Sequence, residues 1–290
     1  LLGNCIANEI QINPDLLDRA IEWYAKNRFR YIDRAATEII LSSKFKDAFK
    51  TKVYSLYFDK FNDKYSVPLG SISGEIYTYE LKKKEKDILK TISTDINDSD
   101  KKTQAISLFG LMIFCFQNHS TIKTNQASKG KGYDITEIVE KIIPIIKTND
   151  KHLCLPSFWS IAWFNDSLKY SETQRLNLLK ELLKIWSNLN NSKNYDRICT
   201  WAIMTLLNPN VVINKTILKD GDFDKVVLSR FNSPLNEYDS LVSVYLSYHL
   251  NIIIDIKKVE KLFLENLKRF SRSESKITEY ANLMGLNLKK

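Results

Sequence analysis

Glycine and proline are scarce in this chain: 8 and 6 among 290 residues. That scarcity argues against a turn-rich β-sandwich and against any nucleotide fold built on a glycine loop. Four cysteines and three histidines, scattered along the sequence, make neither a disulfide framework nor a zinc module. Long apolar runs are lacking too. The longest near-continuous one, Leu108 to Phe116, falls far short of the ~20 residues a bilayer demands, so a membrane partner is not expected. No basic stretch precedes an apolar one at the start, so a signal peptide is not expected and the location is read as intracellular, in the cytoplasm. The sequence opens Leu1-Leu2-Gly3-Asn4 and its first methionine is Met112, which raises the expectation of a fragment with further domains beside it.

What is present is aromatic and helical. There are 33 aromatic residues and 44% hydrophobic residues, a composition unlike that of disordered chains. In 14–27 the apolar positions Leu16, Leu17, Ala20, Ile21, Tyr24 and Ala25 repeat at helical spacing behind Asn13 and Pro14, a good cap and first-turn residue. Ser171 and Gln174 read as a capping box before Leu178, Leu179, Leu182 and Leu183. Glu75–Leu81 alternates Tyr77, Tyr79 and Leu81 as a strand would, yet runs into helical sequence, and it is read as helix.

In the second half, helix starts are expected near 134, 156, 172, 194, 213, 234, 255 and 274. Short helices joined by short turns pack antiparallel, and two of them make a unit of about 40 residues, the period of HEAT and armadillo solenoids. The expected fold is therefore all-α, with antiparallel helix pairs stacked as an irregular solenoid. Three segments are expected: helical repeats over 1–117, a basic loop over 118–133, and helical repeats over 134–290.

The first forty residues add a family resemblance. Leu2-Gly3-Asn4-Cys5-Ile6-Ala7 is similar to the end of a HEAT second helix, Pro14 to Tyr24 to a first helix, and Tyr31-Ile32-Asp33-Arg34-Ala35-Ala36 to the next second helix. The resemblance to HEAT-like repeats covers residues 1–42 and implies scaffold or binding roles by analogy.

The formal charge of +9 is unevenly placed. Residues 1–100 carry 16 basic and 16 acidic groups, and 134–255 carry 13 and 14. The excess lies in 101–133, with five lysines and no acid, and in 256–290, with nine basic groups and four acids. Lys123, Lys129 and Lys131 in the first segment, and Lys261, Lys268 and Arg272 in the second, are the candidate anion- or nucleic-acid-binding residues. Lys257, Lys258, Arg269 and Lys276 belong to the same C-terminal run. Gly130-Lys131-Gly132 is not a Walker motif, because Ser or Thr should follow the lysine.

No catalytic residue, metal ligand or cofactor is assigned. Cys115 with His119 and His152 with Cys154 match no common zinc spacing, and a cysteine in an apolar run is ordinarily a small hydrophobe. Asp220, Asp222 and Asp224 resemble the start of a calcium loop, but Phe231 stands where the closing Glu belongs. Phe158, Trp159, Trp163 and Phe164, with Trp186 and Trp201 further on, read first as core and second as base-stacking residues. Some HEAT-like proteins are alkylpurine DNA glycosylases that set Trp and Asp on a basic surface; Trp163 with Asp166 and Arg197 with Trp201 are the positions to inspect for that. The leading expectation is a non-catalytic helical-repeat scaffold or sensor region within a larger protein, such as an ATPase, binding adjoining domains or another protein. The alternative is a nucleic-acid binder, including the glycosylase form, that uses 101–133 and 256–290.

Overall fold

The computed structural model describes residues 46–59, 63–84, 87–121, 132–164, 168–189, 193–213, 223–269 and 274–288. The resemblance over 1–42 and the expected helix at 14–27 lie outside them. The described residues form twelve α-helices and two two-residue strands, so the fold is mostly helical, as the periodicity predicts. The chain divides into two compact units, Leu1–Tyr170 and Ser171–Lys290. Of the basic loop expected at 118–133, residues 118–121 are helical and 122–131 lie outside the described residues; residues 134–170 belong to the first unit because their elements pack on earlier ones.

The first unit contains α1 (Lys46–Asp59), α2 (Asp63–Lys83), α3 (Ile88–Asp95), α4 (Lys101–Thr121), β1 (Tyr133–Asp134), α5 (Thr136–Lys147), α6 (Lys151–Ala162) and β2 (Leu168–Lys169). Its centre is α4, which packs against α2, α3 and α6. That explains the apolar run: a helix covered on several sides needs no polar face, and Leu108, Phe109 and Leu111 are all fully buried. The approach of α2 is close enough to require glycine. A Cβ on Gly74 would lie 2.4 Å from the Phe109 carbonyl oxygen, and one on Gly110 would lie 2.4 Å from the Tyr77 ring.

Polar ties join the helices around this centre. Lys50 pairs with Glu80 at 2.9 Å, linking α1 to α2. The Tyr77 hydroxyl donates to Asp95 at 2.7 Å, linking α2 to α3, and the Ser160 hydroxyl donates to the Leu108 carbonyl at 2.8 Å, linking α6 to α4. Glu75–Leu81 lies inside α2, where Tyr77 and Leu81, four apart, share a helical face.

The second unit contains α7 (Glu172–Ser187), α8 (Lys193–Leu206), α9 (Phe223–Asn232), α10 (Asp239–Leu250), α11 (Ile256–Arg269) and α12 (Glu274–Leu283). Ser171 and Gln174 form the capping box read from the sequence. Contacts run α7 to α8, α9 to α10, α10 to α11 and α11 to α12, with α8 also against α10. α10 is the central helix, buried from Leu241 to Ser247 without a break.

The expected starts at 134, 172, 194, 255 and 274 fall within two residues of the observed ones. Two others are displaced for local reasons. The helix expected at Pro156 begins at Lys151, because Asp150 caps it by accepting the His152 N–H at 3.0 Å, and the proline lies inside the helix. The helix expected at 234 begins at Asp239, where Asn236 accepts the Tyr238 N–H and closes a turn. At 213 no described helix starts; the next is α9 at Phe223.

Candidate functional site

Of the six candidate cationic residues, the structure describes two. Lys123, Lys129, Lys131 and Arg272 lie outside the described residues. Lys261 and Lys268 stand exposed on α11, as does Lys257. Helical geometry sets these three within roughly 40° of one another around the axis and about 16 Å apart end to end. The rest of the C-terminal basic run is divided between surface and architecture. Lys258 donates to the Asn232 side chain at 3.0 Å and sits 4.8 Å above the Phe231 ring. Lys276 donates to the Met204 and Thr205 carbonyls at 2.7 and 3.1 Å, placing a positive charge on the C-terminal end of α8, where the helix dipole favours it. Lys101 pairs with Asp150, and Lys102 lies 5.7 Å over the Phe58 ring.

Four of the candidate aromatic residues are core. Phe158, Trp163, Phe164 and Trp186 are buried, with Trp163 edge-to-face on Phe116 at 4.8 Å. Trp159 and Trp201 are half-buried. Asp166, the partner sought for Trp163, lies outside the described residues. Arg197 donates to Glu237 at 2.5 Å and lies over the Tyr238 ring, on which Trp201 stacks at 6.0 Å, so the two positions share one aromatic neighbour. Cys115 and Cys154 are fully buried, and burial pushes the Cys115 thiol far above its usual range, which makes it inert packing. Among the described residues no group of three His, Cys, Asp or Glu could hold a metal. Asp220 and Asp222 lie outside them, and Asp224 opens α9 on the surface. No described helix is long and apolar enough to cross a membrane.

Three arrangements carry no signal in the sequence. In the second unit the Asp239 carboxylate, wholly buried, accepts from the Trp186 indole N–H at 2.8 Å, the Leu235 N–H at 2.8 Å and the Thr200 hydroxyl at 3.2 Å. Arg230 lies 3.5 Å from the same carboxylate and donates to the Leu189 carbonyl at 2.8 Å. A buried charge held by this many donors is a structural tie among α7, α8, α9 and α10.

Further along α10, His249 Nε2 and the Tyr280 hydroxyl are 2.7 Å apart, and Tyr280 stacks on Tyr245 at 3.9 Å. Burial holds the His249 imidazole below the usual histidine range, and the Asn208 backbone carbonyl opposes that shift only in part. With the Nδ1–H of the neutral ring given to the Asn208 carbonyl, Nε2 accepts the Tyr280 proton, so the ring joins α10 to α12 as an acceptor.

The third arrangement is a cleft of about 610 Å³ in the first unit, between the start of α3, the end of α4 and the β1–α5 junction. Its walls include Ile88, Phe114, Tyr133 and Ile138, with Asp87, Asp134 and Glu137 also lining it. Beside it the Lys141 ammonium donates to the Ser93 carbonyl at 2.8 Å and the Ser93 hydroxyl at 2.7 Å, and pairs with Glu137. Three acceptors meet its three N–H groups, a tie from α5 to α3.

Comparison of the chain with protein families, with curated proteins and with solved structures finds no match in any of the three.

Proposed function

We propose that the chain is a non-catalytic helical-repeat scaffold, its helices stacked in antiparallel pairs as an irregular solenoid, that binds another protein as part of a larger assembly. The observation that supports this most directly is the neighbour-to-neighbour packing of the second unit: α9 on α10, α10 on α11, α11 on α12, with α7 on α8. Contacts between sequence neighbours are what stacked helical repeats make, and such stacks present extended binding surfaces. A second support is the use of polar groups. Asp239, Arg230, His249, Tyr280 and Lys276 are all engaged in joining one helix to another. Meanwhile Val212 and Ile253, at 79% and 93% exposure on interhelix segments, point apolar branched side chains outward.

Nucleic-acid binding is the second reading, supported by Lys257, Lys261 and Lys268 along one exposed face of α11. Glu260 and Glu265 on the same helix dilute that charge, and lysines so placed are usually a solvated face. The test is titration of the protein with labelled duplex and single-stranded DNA and RNA at two salt concentrations. The scaffold reading expects no binding that weakens steeply with salt. Salt-steep binding that is lost in K261E/K268E would replace it with the second reading, and release of a free base from alkylated DNA would establish the glycosylase form.

A further inference from the structure

Among the described residues, one wall of the first unit's cleft is an unpaired strand edge. β1 pairs in parallel with β2, Tyr133 opposite Leu168 and Asp134 opposite Lys169, and the Ile135 N–H donates to the Lys169 carbonyl at 3.0 Å. Backbone groups alternate sides along a strand, so Asp134, one residue before Ile135, turns its N–H and C=O away from β2. No backbone hydrogen bond joins these two groups to another described residue. Both residues of β1 are exposed. The Asp134 carboxylate accepts the Thr136 N–H at 2.9 Å, which fixes the turn from strand into α5 and holds the edge in place.

The chemistry around that edge is mixed in a specific way. Tyr133 stands 41% exposed with its ring edge-to-face on Phe114 at 5.0 Å, and Ile88 and Ile138 extend the apolar wall. Among the described residues three carboxylates line the cleft, Asp87, Asp134 and Glu137, against the one ammonium of Lys90. Hydrogen bonds from Thr136 hold the Asp134 carboxyl below the usual carboxylate range, and hydrogen bonds from Lys141 and Ser93 do the same for Glu137, so both are anionic at neutral pH. Lys141 is already engaged by Ser93 and Glu137, and Lys169, the register partner of Asp134 on β2, acts on the Asp134 carboxylate from beside the cleft. Acids outnumber ammonium groups in the cleft's described lining, which favours a cationic side chain there over a phosphate.

We propose that this cleft binds an extended peptide segment of a partner protein, which adds to the free edge of β1 through the Asp134 N–H and C=O. The segment carries an apolar residue for the Phe114–Tyr133 wall, flanked by a lysine or arginine for the carboxylates. Main-chain pairing supplies affinity and the alternating side chains supply specificity, as in other cases where a strand is added to a sheet edge. The volume lies within the range of ordinary ligand pockets. The inference rests on the reading of the chain as a protein-binding module and names one site and the partner's chemistry.

The probe is a fluorescein-labelled Lys-Val-Lys-Val-Lys peptide titrated onto the full chain, followed by anisotropy and by amide chemical shifts. Two control peptides accompany it: Glu-Val-Glu-Val-Glu, and the lysine peptide with N-methylated valines. Shifts are expected at Gly132–Ile138 and in the first turn of α3, with each control peptide binding about tenfold more weakly or worse. Asp134→Asn keeps a side-chain oxygen able to accept the Thr136 N–H while removing the charge, and with Glu137→Gln it is expected to weaken the lysine peptide about fivefold without unfolding the chain. Equal binding of the N-methylated peptide, shifts located elsewhere, or no binding at about 1 mM peptide would overturn the proposal. So would self-association of the chain that D134N/E137Q abolishes, which assigns the edge to a second copy. Loss of this site leaves partner cross-linking from Val212 and Ile253 untouched, so the site and the scaffold reading fail separately.

Discussion

The Tyr57 hydroxyl donates to the His152 carbonyl at 2.9 Å, across 95 residues, and that carbonyl is the one Pro156 would have bonded had it carried an N–H. A proline inside a helix removes the bond to the residue four earlier. Here α1 supplies the missing donor to α6, and burial pushes the Tyr57 hydroxyl well above its usual pKa, so it stays protonated. Tyr57→Phe is expected to cost about 1–3 kcal/mol by urea unfolding, the range for a buried acceptor left without its donor. In a Pro156→Ala background the helix supplies its own N–H, and the same substitution should cost measurably less. A double-mutant cycle with no coupling would contradict this account.

Close packing of α2 on α4 sets a second expectation. Alanine is a better helix former than glycine by about 1 kcal/mol. At Gly74 and Gly110, however, the added carbon would meet the Phe109 carbonyl or the Tyr77 ring at 2.4 Å. Gly74→Ala and Gly110→Ala are each expected to destabilise the first unit by roughly 1–3 kcal/mol, as overpacking does. The midpoint of chemical denaturation measures it; an unchanged or raised midpoint would mean the helices are further apart than described.

Asp239 and Arg230 form a buried pair whose single loss should be severe. Asp239→Leu leaves the guanidinium without its countercharge and is expected to cost roughly 3–5 kcal/mol. Asp239→Leu with Arg230→Met removes both charges, and most of that loss should return. Thermal unfolding of the three proteins distinguishes this from a simple packing defect, in which the double variant would be worse than the single.

Acid should weaken the α10–α12 contact. His249 is held below its ordinary value of 6.5 by burial, so on acidification the unfolded chain takes up the proton first. The stability present above the ordinary value is therefore lost as pH falls through it towards the folded value. His249→Gln keeps an acceptor for Tyr280 without titrating, and its unfolding free energy is expected to change less than wild type between pH 7.5 and 5.5. Hydrogen exchange in Glu274–Leu283 reports the same event locally. Parallel pH profiles for wild type and variant would count against it.

Much of the helical layout was legible in the sequence, because caps and apolar periods are local. Ser171 and Gln174 announced α7 from four residues of text. Pro156 misled because a proline suits a helix start, and the donor that lets it sit inside α6 lies 99 positions away at Tyr57. The basic C-terminal run was visible as charge, but whether a lysine faces solvent, as Lys261 does, or caps a neighbouring helix, as Lys276 does, is a property of packing. Asp239 and its partners, 39 and 53 residues apart, and the cleft around Tyr133 have no local pattern to read.

The central claim, that this chain binds protein, is tested most directly by photo-cross-linking in the native cells. A photoactivatable residue would replace Ile253, Val212 or Tyr133 in turn, with Lys261 as the comparison position. The account predicts a discrete cross-linked protein from at least one of the first three positions; a cross-link from Tyr133 is lost when D134N/E137Q is introduced, and one from Val212 or Ile253 is not. Cross-links confined to Lys261 and removed by nuclease would contradict it.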